Sequence, residues 1–243
     1  MPSTHRRPDL VTVKGAYVKA ARALGKAATT THLMPTQAPP RDRRIRHWAF
    51  TLTKVHDSVA LAELDIPWWT YRAIDAVQAW LEQRNGPVRA FEYGSGASTT
   101  FLARRVAEIH SIEHHPAFAK VMLEALSEHS NVDLQLVEAM PSEYPAVPSR
   151  KEGYKGVDFA GYVASIDKVG GEFDLIVIDG RAREACLMAA LRHLKPDGMI
   201  VFDNSFRRRY RARLSTVQVV ERVYRGLTPT LPYPDQTSLI TLR

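Results

Sequence analysis

Five acidic residues fall where apolar runs of this chain end: Glu92, Glu113, Glu138, Asp179 and Asp203. The first stands just before a glycine turn, Gly94-Ser95-Gly96, with Ser98, Thr99 and Thr100 close behind as candidate caps for a helix. Glycines at such a turn let a ligand come closer to the backbone than a Cβ would permit, and the loop amides form a concave surface. Glu113 lies 21 positions after Glu92. A carboxylate at the tip of a second strand can accept both hydroxyls of a ribose. These residue types in this order point to a nucleoside ligand.

Which nucleoside follows from what is missing. A dinucleotide fingerprint needs a third glycine where Thr99 stands, and Glu92 would repel a pyrophosphate. No Gly-Lys-Ser/Thr follows the turn, so a P-loop is ruled out. A ligand with adenosine at one end and positive charge at the other fits better. S-adenosylmethionine has that form.

The elements that must position these residues alternate from Val88 onward. Strands are expected over 88–93, 109–113, 132–137, 173–178 and 199–202. Helices are expected between them: to about 107, from 116 to about 128, from 183 to 194, and from 211 to 223. Phe173–Ile178 is a continuous apolar run of the kind buried on both faces of a parallel sheet. Segments 226–230 and 238–242 read as a final antiparallel pair. The expected fold is α/β, a doubly wound, mostly parallel Rossmann-like sheet. The insert 140–171 is longer than an ordinary connection, with helix expected near 158–168, and reads as a lid or substrate loop. Ahead of the sheet, 48–64 reads as one helix. A second starts at Pro67 and runs to about Gln83, its Trp68-Trp69 pair either roofing a ligand or packing on the sheet.

At 243 residues the chain accommodates one sizeable domain (48–243, with a helical lead-in over 48–85) plus an appendage over 1–47. No apolar run reaches the ~18 residues that span a bilayer. The opening residues show no short apolar stretch of a secretory signal. The single cysteine, Cys186, suits a reducing compartment, and a cytoplasmic location is expected. The net charge of +7 belongs to the leader: residues 1–47 hold ten Lys or Arg against two Asp, the remainder 23 against 24 acids. Residues 10–28 have the period of a basic amphipathic helix. Such a helix serves peripheral membrane contact, organelle targeting, or docking on its own domain.

The segments Glu92–Ser98, Ser111–Glu113, Phe173–Gly180 and Leu194–Asn204 together resemble the class I S-adenosylmethionine-dependent methyltransferases, over roughly residues 66–243. That resemblance implies that Glu92 and the turn Gly94, Ser95, Gly96 and Ser98 hold the methionine portion of the cofactor. It implies that Glu113 takes the ribose, with His114 and the Glu138 corner near the adenine; Glu138 reads equally as a solvated strand end. Asp179, Asp203 and Asn204 are similar to the ligand set of the catechol O-methyltransferase group, which implies Mg²⁺. Where that group has a catalytic lysine, Ala182 stands here, between Arg181 and Arg183. Without a metal, Asp179 orients cofactor or acceptor, and Asp179 and Asp203 are the candidate proton acceptors.

The expected function is therefore methyl transfer to an oxygen of a small or glycan-like acceptor. The run Arg207–Arg213 follows the last parallel strand and either attracts an anionic acceptor or forms a solvated face. Base-methylating enzymes of this fold carry Asn/Asp-Pro-Pro-aromatic where this chain has Asp179-Gly-Arg, so a nucleic-acid acceptor is not expected. The rivals are an NAD-dependent oxidoreductase of related fold and a non-catalytic nucleotide scaffold acting through its leader.

Overall fold

The computed structural model describes residues 35, 37–54 and 58–243, leaving aside the side chains of 58 and 59. The basic helix expected over 10–28 lies outside the described residues. Helix α1 (Arg44–Thr51) runs into a 3-10 turn (Leu52–Lys54), and α2 spans Ser58–Glu63, so the expected single helix over 48–64 is divided. α1 docks on α3 (Tyr71–Glu82): Arg44 pairs with Asp75, and His47 Nδ1 lies 2.7 Å from the Tyr71 hydroxyl.

α3 begins at Tyr71 rather than at Pro67 because the preceding segment is claimed by the far end of the chain. The Thr70 amide donates to Thr237 Oγ1 and the Tyr71 amide to the Leu227 carbonyl. Thr70 is thereby held extended. Trp69 is wholly buried, edge-on to Phe101, while Trp68 is half-buried and donates to Thr230 Oγ1. Trp69 thus packs in the core as expected, and Trp68 lies on a cleft wall.

The alternating region follows as β1 (Arg89–Tyr93), α4 (Ala97–Ala103), β2 (Glu108–Glu113), α5 (Pro116–Ala125) and β3 (Val132–Leu136). The insert folds as a small antiparallel pair, β4 (Met140–Pro141) with β5 (Val157–Asp158), then α6 (Ala160–Val163) and α7 (Ser165–Val169). β6 (Phe173–Ile178), α8 (Arg183–Arg192), β7 (Leu194–Asp203) and α9 (Arg208–Leu214) complete the doubly wound part. β8 (Val219–Gly226) and β9 (Asp235–Leu242) pair antiparallel along their whole lengths.

Two expectations are corrected there. Residues 219–223 are strand, not the end of a helix, and 227–230 belong to the connecting loop after Gly226 rather than to a strand. The run Val219-Val220-Glu221-Arg222-Val223-Tyr224 is β-branched and aromatic, and its eight-residue register with β9 supplies ladder bonds that an edge helix could not replace. β7 also extends back through Lys195-Pro196-Asp197-Gly198, where a turn is expected, with an irregularity in its pairing to β6.

The strand order is β3-β2-β1-β6-β7-β9-β8, with the first five parallel and β9 antiparallel to both neighbours. Every residue of β6 is buried, and its side chains divide between two cores. Leu175 and Val177 face Trp69, Ile74 and Phe101; Ile176 and Ile178 face Tyr162, Leu187 and Phe202. Chain order reverses between β1 and β6, so their carboxyl ends part around the crevice where open α/β sheets hold ligands. No helix among the described residues is long and apolar enough to cross a membrane.

Candidate active site

At the carboxyl ends of β1, β2, β6 and β7 opens a cleft of about 980 Å³. Its walls include the Gly94–Ser98 turn, Glu113–His115, Asp179–Arg183 and Asp203–Asn204, with Tyr154 from the insert and Tyr233 from the last loop. Of the residues expected at a site, Glu92 and Glu138 are not on this wall. Glu138 is exposed on the connection after β3.

Glu92 lies beneath the turn instead. Its carboxylate, with no exposure, accepts hydroxyl bonds from Ser98 (2.5 Å), Thr99 (2.5 Å) and Ser111 (2.7 Å). The N-cap of α4 is Gly96, and Ser98 and Thr99 both donate their hydroxyls to Glu92, Thr99 from the N3 position of the helix. Thr99 Oγ1 also receives the Gly96 amide, 2.9 Å away. One buried carboxylate thereby ties strand, turn and helix into a fixed cradle. Burial pushes its carboxyl up to about 7, the three hydroxyls pulling down and the Asp179 charge adding to the rise.

A carboxyl with a raised folded-state value binds more protons folded than unfolded. Its contribution to stability therefore falls as pH rises from the ordinary glutamate range to about 7. Glu92→Gln should flatten that part of the stability profile. Urea titrations of both proteins between pH 4.5 and 8 measure it, and parallel profiles would refute it.

Gly94 adopts φ +97°, and a Cβ there would lie 2.6 Å from Gly180 Cα. A Cβ on Gly180 would lie 1.9 Å from the Tyr162 hydroxyl. The two loops that end β1 and β6 thus touch through bare backbone, joined by an Asp179 amide bond to the Tyr93 carbonyl. At Gly96, in contrast, a Cβ would meet nothing within 4 Å, because that residue faces the open cleft.

Glu113 is almost fully buried yet borders the cleft. Oε1 accepts the amides of His114 (2.7 Å) and His115 (2.8 Å), and Oε2 the Ser95 hydroxyl (3.1 Å). Burial works to raise its pKa, but His114 and the two amides outweigh that and hold the carboxyl below the ordinary glutamate range. His114 sits against the carboxylate with Nδ1 2.8 Å from Oε1, and its Nε2 lies 3.0 Å from the Tyr154 hydroxyl. Tyr154 lies 40 positions downstream in the insert, and no periodicity announced it.

Across the switch point, Asp179 and Asp203 are bridged by Arg183. Its guanidinium lies 2.6 Å from Asp179 Oδ1 and 3.8 Å from Asp203 Oδ2, and donates to the backbone carbonyls of both. Arg183 is itself buried. Asp179 keeps 21% of its side chain exposed, Asp203 only 5%. Asp203 also accepts the Thr237 hydroxyl at 2.9 Å. Burial raises both carboxyls, partly offset by Arg183; for Asp203 the Asp179 charge adds to the rise.

This arrangement does not support the expected Mg²⁺ set. The guanidinium already supplies the positive charge between Asp179 and Asp203. Asn204, with φ +47°, donates its Nδ2 to Asp235. Among the described residues no group of three or more His, Cys, Asp or Glu is placed to hold a metal. The donor set does not fit the ion. Arg183 is four residues beyond Asp179, at the first turn of α8, where a helix carries its side chain back over the strand end. That spacing is the signal for it in the sequence.

No curated protein sequence matches this chain. Among solved structures, an rRNA methylase from Streptococcus thermophilus is similar at 14% identity and TM-score 0.49, covering 70% of this chain and 96% of its own. A putative methyltransferase from Streptococcus mutans in complex with SAH is similar at 13% and 0.48, covering 70% and 97%. A precorrin 8W decarboxylase from Methanobacterium thermoautotrophicum is similar at 16% and 0.47, covering 72% and 91%. Residues 91–205 match the family model described as a methyltransferase domain. That match runs from within β1 to just past the end of β7, the strands whose ends border the cleft, so that over residues 91–205 the chain is similar to the methyltransferase domain family.

Proposed function

We propose that the chain transfers the methyl group to an oxygen of a small or glycan-like acceptor, with Asp179 receiving the hydroxyl proton. The cofactor fits the half of the cleft bordered by β1 and β2. Glu113 offers a charged acceptor beside open space, and Gly94, Ser95, Gly96 and Ser98 border it, with Gly96 leaving room for close approach. His114 lines the same half, with Tyr154 across from it. Glu92 acts from below by fixing the turn. When bound, S-adenosylmethionine supplies an already activated methyl group, so the chain's own task is alignment and proton removal.

The observation that carries the oxygen reading is the partly exposed Asp179 carboxylate on the acceptor side, at the strand neighbouring the glycine turn. Its raised pKa makes it a better base than an ordinary aspartate, and Arg183 holds one oxygen so that the other meets the acceptor. Asp203, more buried and bonded to Thr237, supports Arg183 from behind. No step is assigned to a metal.

Calorimetry with S-adenosylhomocysteine and NADH separates this reading from the oxidoreductase, since only the first should bind. A screen of hydroxyl acceptors, read by S-adenosylhomocysteine release, tests the chemistry. Asp179→Asn should lower kcat by roughly 10²–10⁴-fold while S-adenosylhomocysteine affinity stays near that of the parent. The parent's rate should rise with pH through a value above the ordinary aspartate range and stay unchanged in EDTA. A kcat untouched by Asp179→Asn would remove the base from the scheme.

A further inference from the structure

The half of the cleft away from the cofactor residues is walled by arginines, and three of them lack an acidic partner. Arg183 is committed to Asp179 and Asp203, and Arg209 faces Glu184 at 3.7 Å. Asp235 is held by Asn204 Nδ2 and the Gln236 amide. Of the cleft arginines that follow β6, that leaves Arg181, Arg207 and Arg213, with no carboxylate within ion-pair distance among the described residues. Arg181 and Arg207 come from the loops after β6 and β7 and flank Asp179.

Two exposed rings, Phe206 and Tyr233, stand on the same side, beside the half-buried Trp68. Unpaired guanidinium groups in a concave wall favour phosphoryl or carboxylate oxygens, which they bind bidentately. Exposed aromatic rings in a cleft favour a flat or apolar body.

We propose that this half is an acceptor subsite for a small anionic molecule: a phosphate or carboxylate held by Arg181, Arg207 and Arg213, an apolar body against Phe206 and Tyr233, and a hydroxyl presented to Asp179. The subsite rests on the methyltransferase reading for its hydroxyl, but its anion affinity is testable alone. A polyanionic nucleic acid would meet the same arginines. The aromatic rings beside these arginines, at a concave cleft, favour the small molecule.

The test uses phenyl phosphate as anion probe, benzyl alcohol as its uncharged counterpart and a short single-stranded RNA, each titrated with and without S-adenosylhomocysteine. Phenyl phosphate should bind saturably, and Arg207→Gln with Arg213→Gln should weaken it at least roughly tenfold. Benzyl alcohol binding should be the same in both proteins. S-adenosylhomocysteine affinity, which these exposed arginines do not serve, reports that the variant is folded. Arg181→Gln alone gives a second reading from a separate loop and should weaken phenyl phosphate in the same direction. Absent phenyl phosphate binding, or binding indifferent to all three substitutions, overturns the subsite. RNA binding roughly a hundredfold tighter than phenyl phosphate, and lost in the same variants, overturns it in favour of nucleic acid. Failure of S-adenosylhomocysteine to bind while phenyl phosphate behaves as expected would sink the methyltransferase reading and leave the anion site standing.

Discussion

Glu113→Ala should weaken S-adenosylhomocysteine binding by roughly 1–3 kcal/mol, about 5- to 150-fold in dissociation constant. The carboxylate is almost fully buried at the cleft edge, and backbone amides and Ser95 already hold it in place. A ligand's hydroxyls would meet an acceptor that needs no reorganisation and remains charged, since its pKa is held low. Glu113→Gln should lose less, because the amide oxygen still accepts the two backbone amides while its nitrogen turns to the Ser95 hydroxyl, which can accept. Both are measured by calorimetry, beside thermal melts that separate lost binding from lost structure. A folded Glu113→Ala protein with parental affinity would show that the cofactor lies elsewhere. The carboxyl's lowered pKa carries its own signature. Its stabilising contribution is present above the ordinary glutamate value and fades as pH falls through it, opposite in sign to that of Glu92.

The second large effect is steric. In Gly180→Ala the new methyl would stand 1.9 Å from the Tyr162 hydroxyl and 3.0 Å from the Tyr93 carbonyl. Tyr162 is wholly buried among Tyr93, Phe159 and His114, so its ring has nowhere to retreat. Overpacking of this kind costs about 1–3 kcal/mol, and here the upper end or beyond is expected. For a chain of this length that is a fall of roughly 3–10 °C in melting temperature. Because the neighbouring residue is Asp179, displacement of the loop should also reduce methyl transfer. Tyr162→Phe removes the closest atom, so Gly180→Ala in that background should recover part of the loss. A melt for Gly180→Ala within about 1 °C of the parent would mean that the two loops are not locked together as described.

Much of this was legible in the order of residues. The β6 run, the glycine turn after β1 and the acid at the tip of β2 depend on local pattern, and the structure places all three at one switch point. The late hairpin is not legible there, because Val219–Tyr224 carries neither a glycine nor a proline to separate it from α9; only pairing along β9 decides that it is strand. The start of α3 escapes local pattern for a related reason, since the bonds that hold Thr70 extended come from more than 150 residues away.

The candidate site divides along the same line. The presence of Glu92, Glu113, Asp179 and Asp203 at apolar run ends came from the sequence, because a strand's period and length set where its last residue emerges. Their environments did not. Whether a carboxylate meets solvent, hydroxyls or a guanidinium depends on which other elements arrive beside it. Packing sent Glu92 beneath the turn and left Glu113 at the cleft edge. It brought Arg183 between two aspartates, in the place where the resemblance to the catechol O-methyltransferase group implies an ion. Local pattern fixes the chemistry a residue can offer; its pKa and partners arise from contacts distant in sequence, and those exist only once the chain has folded.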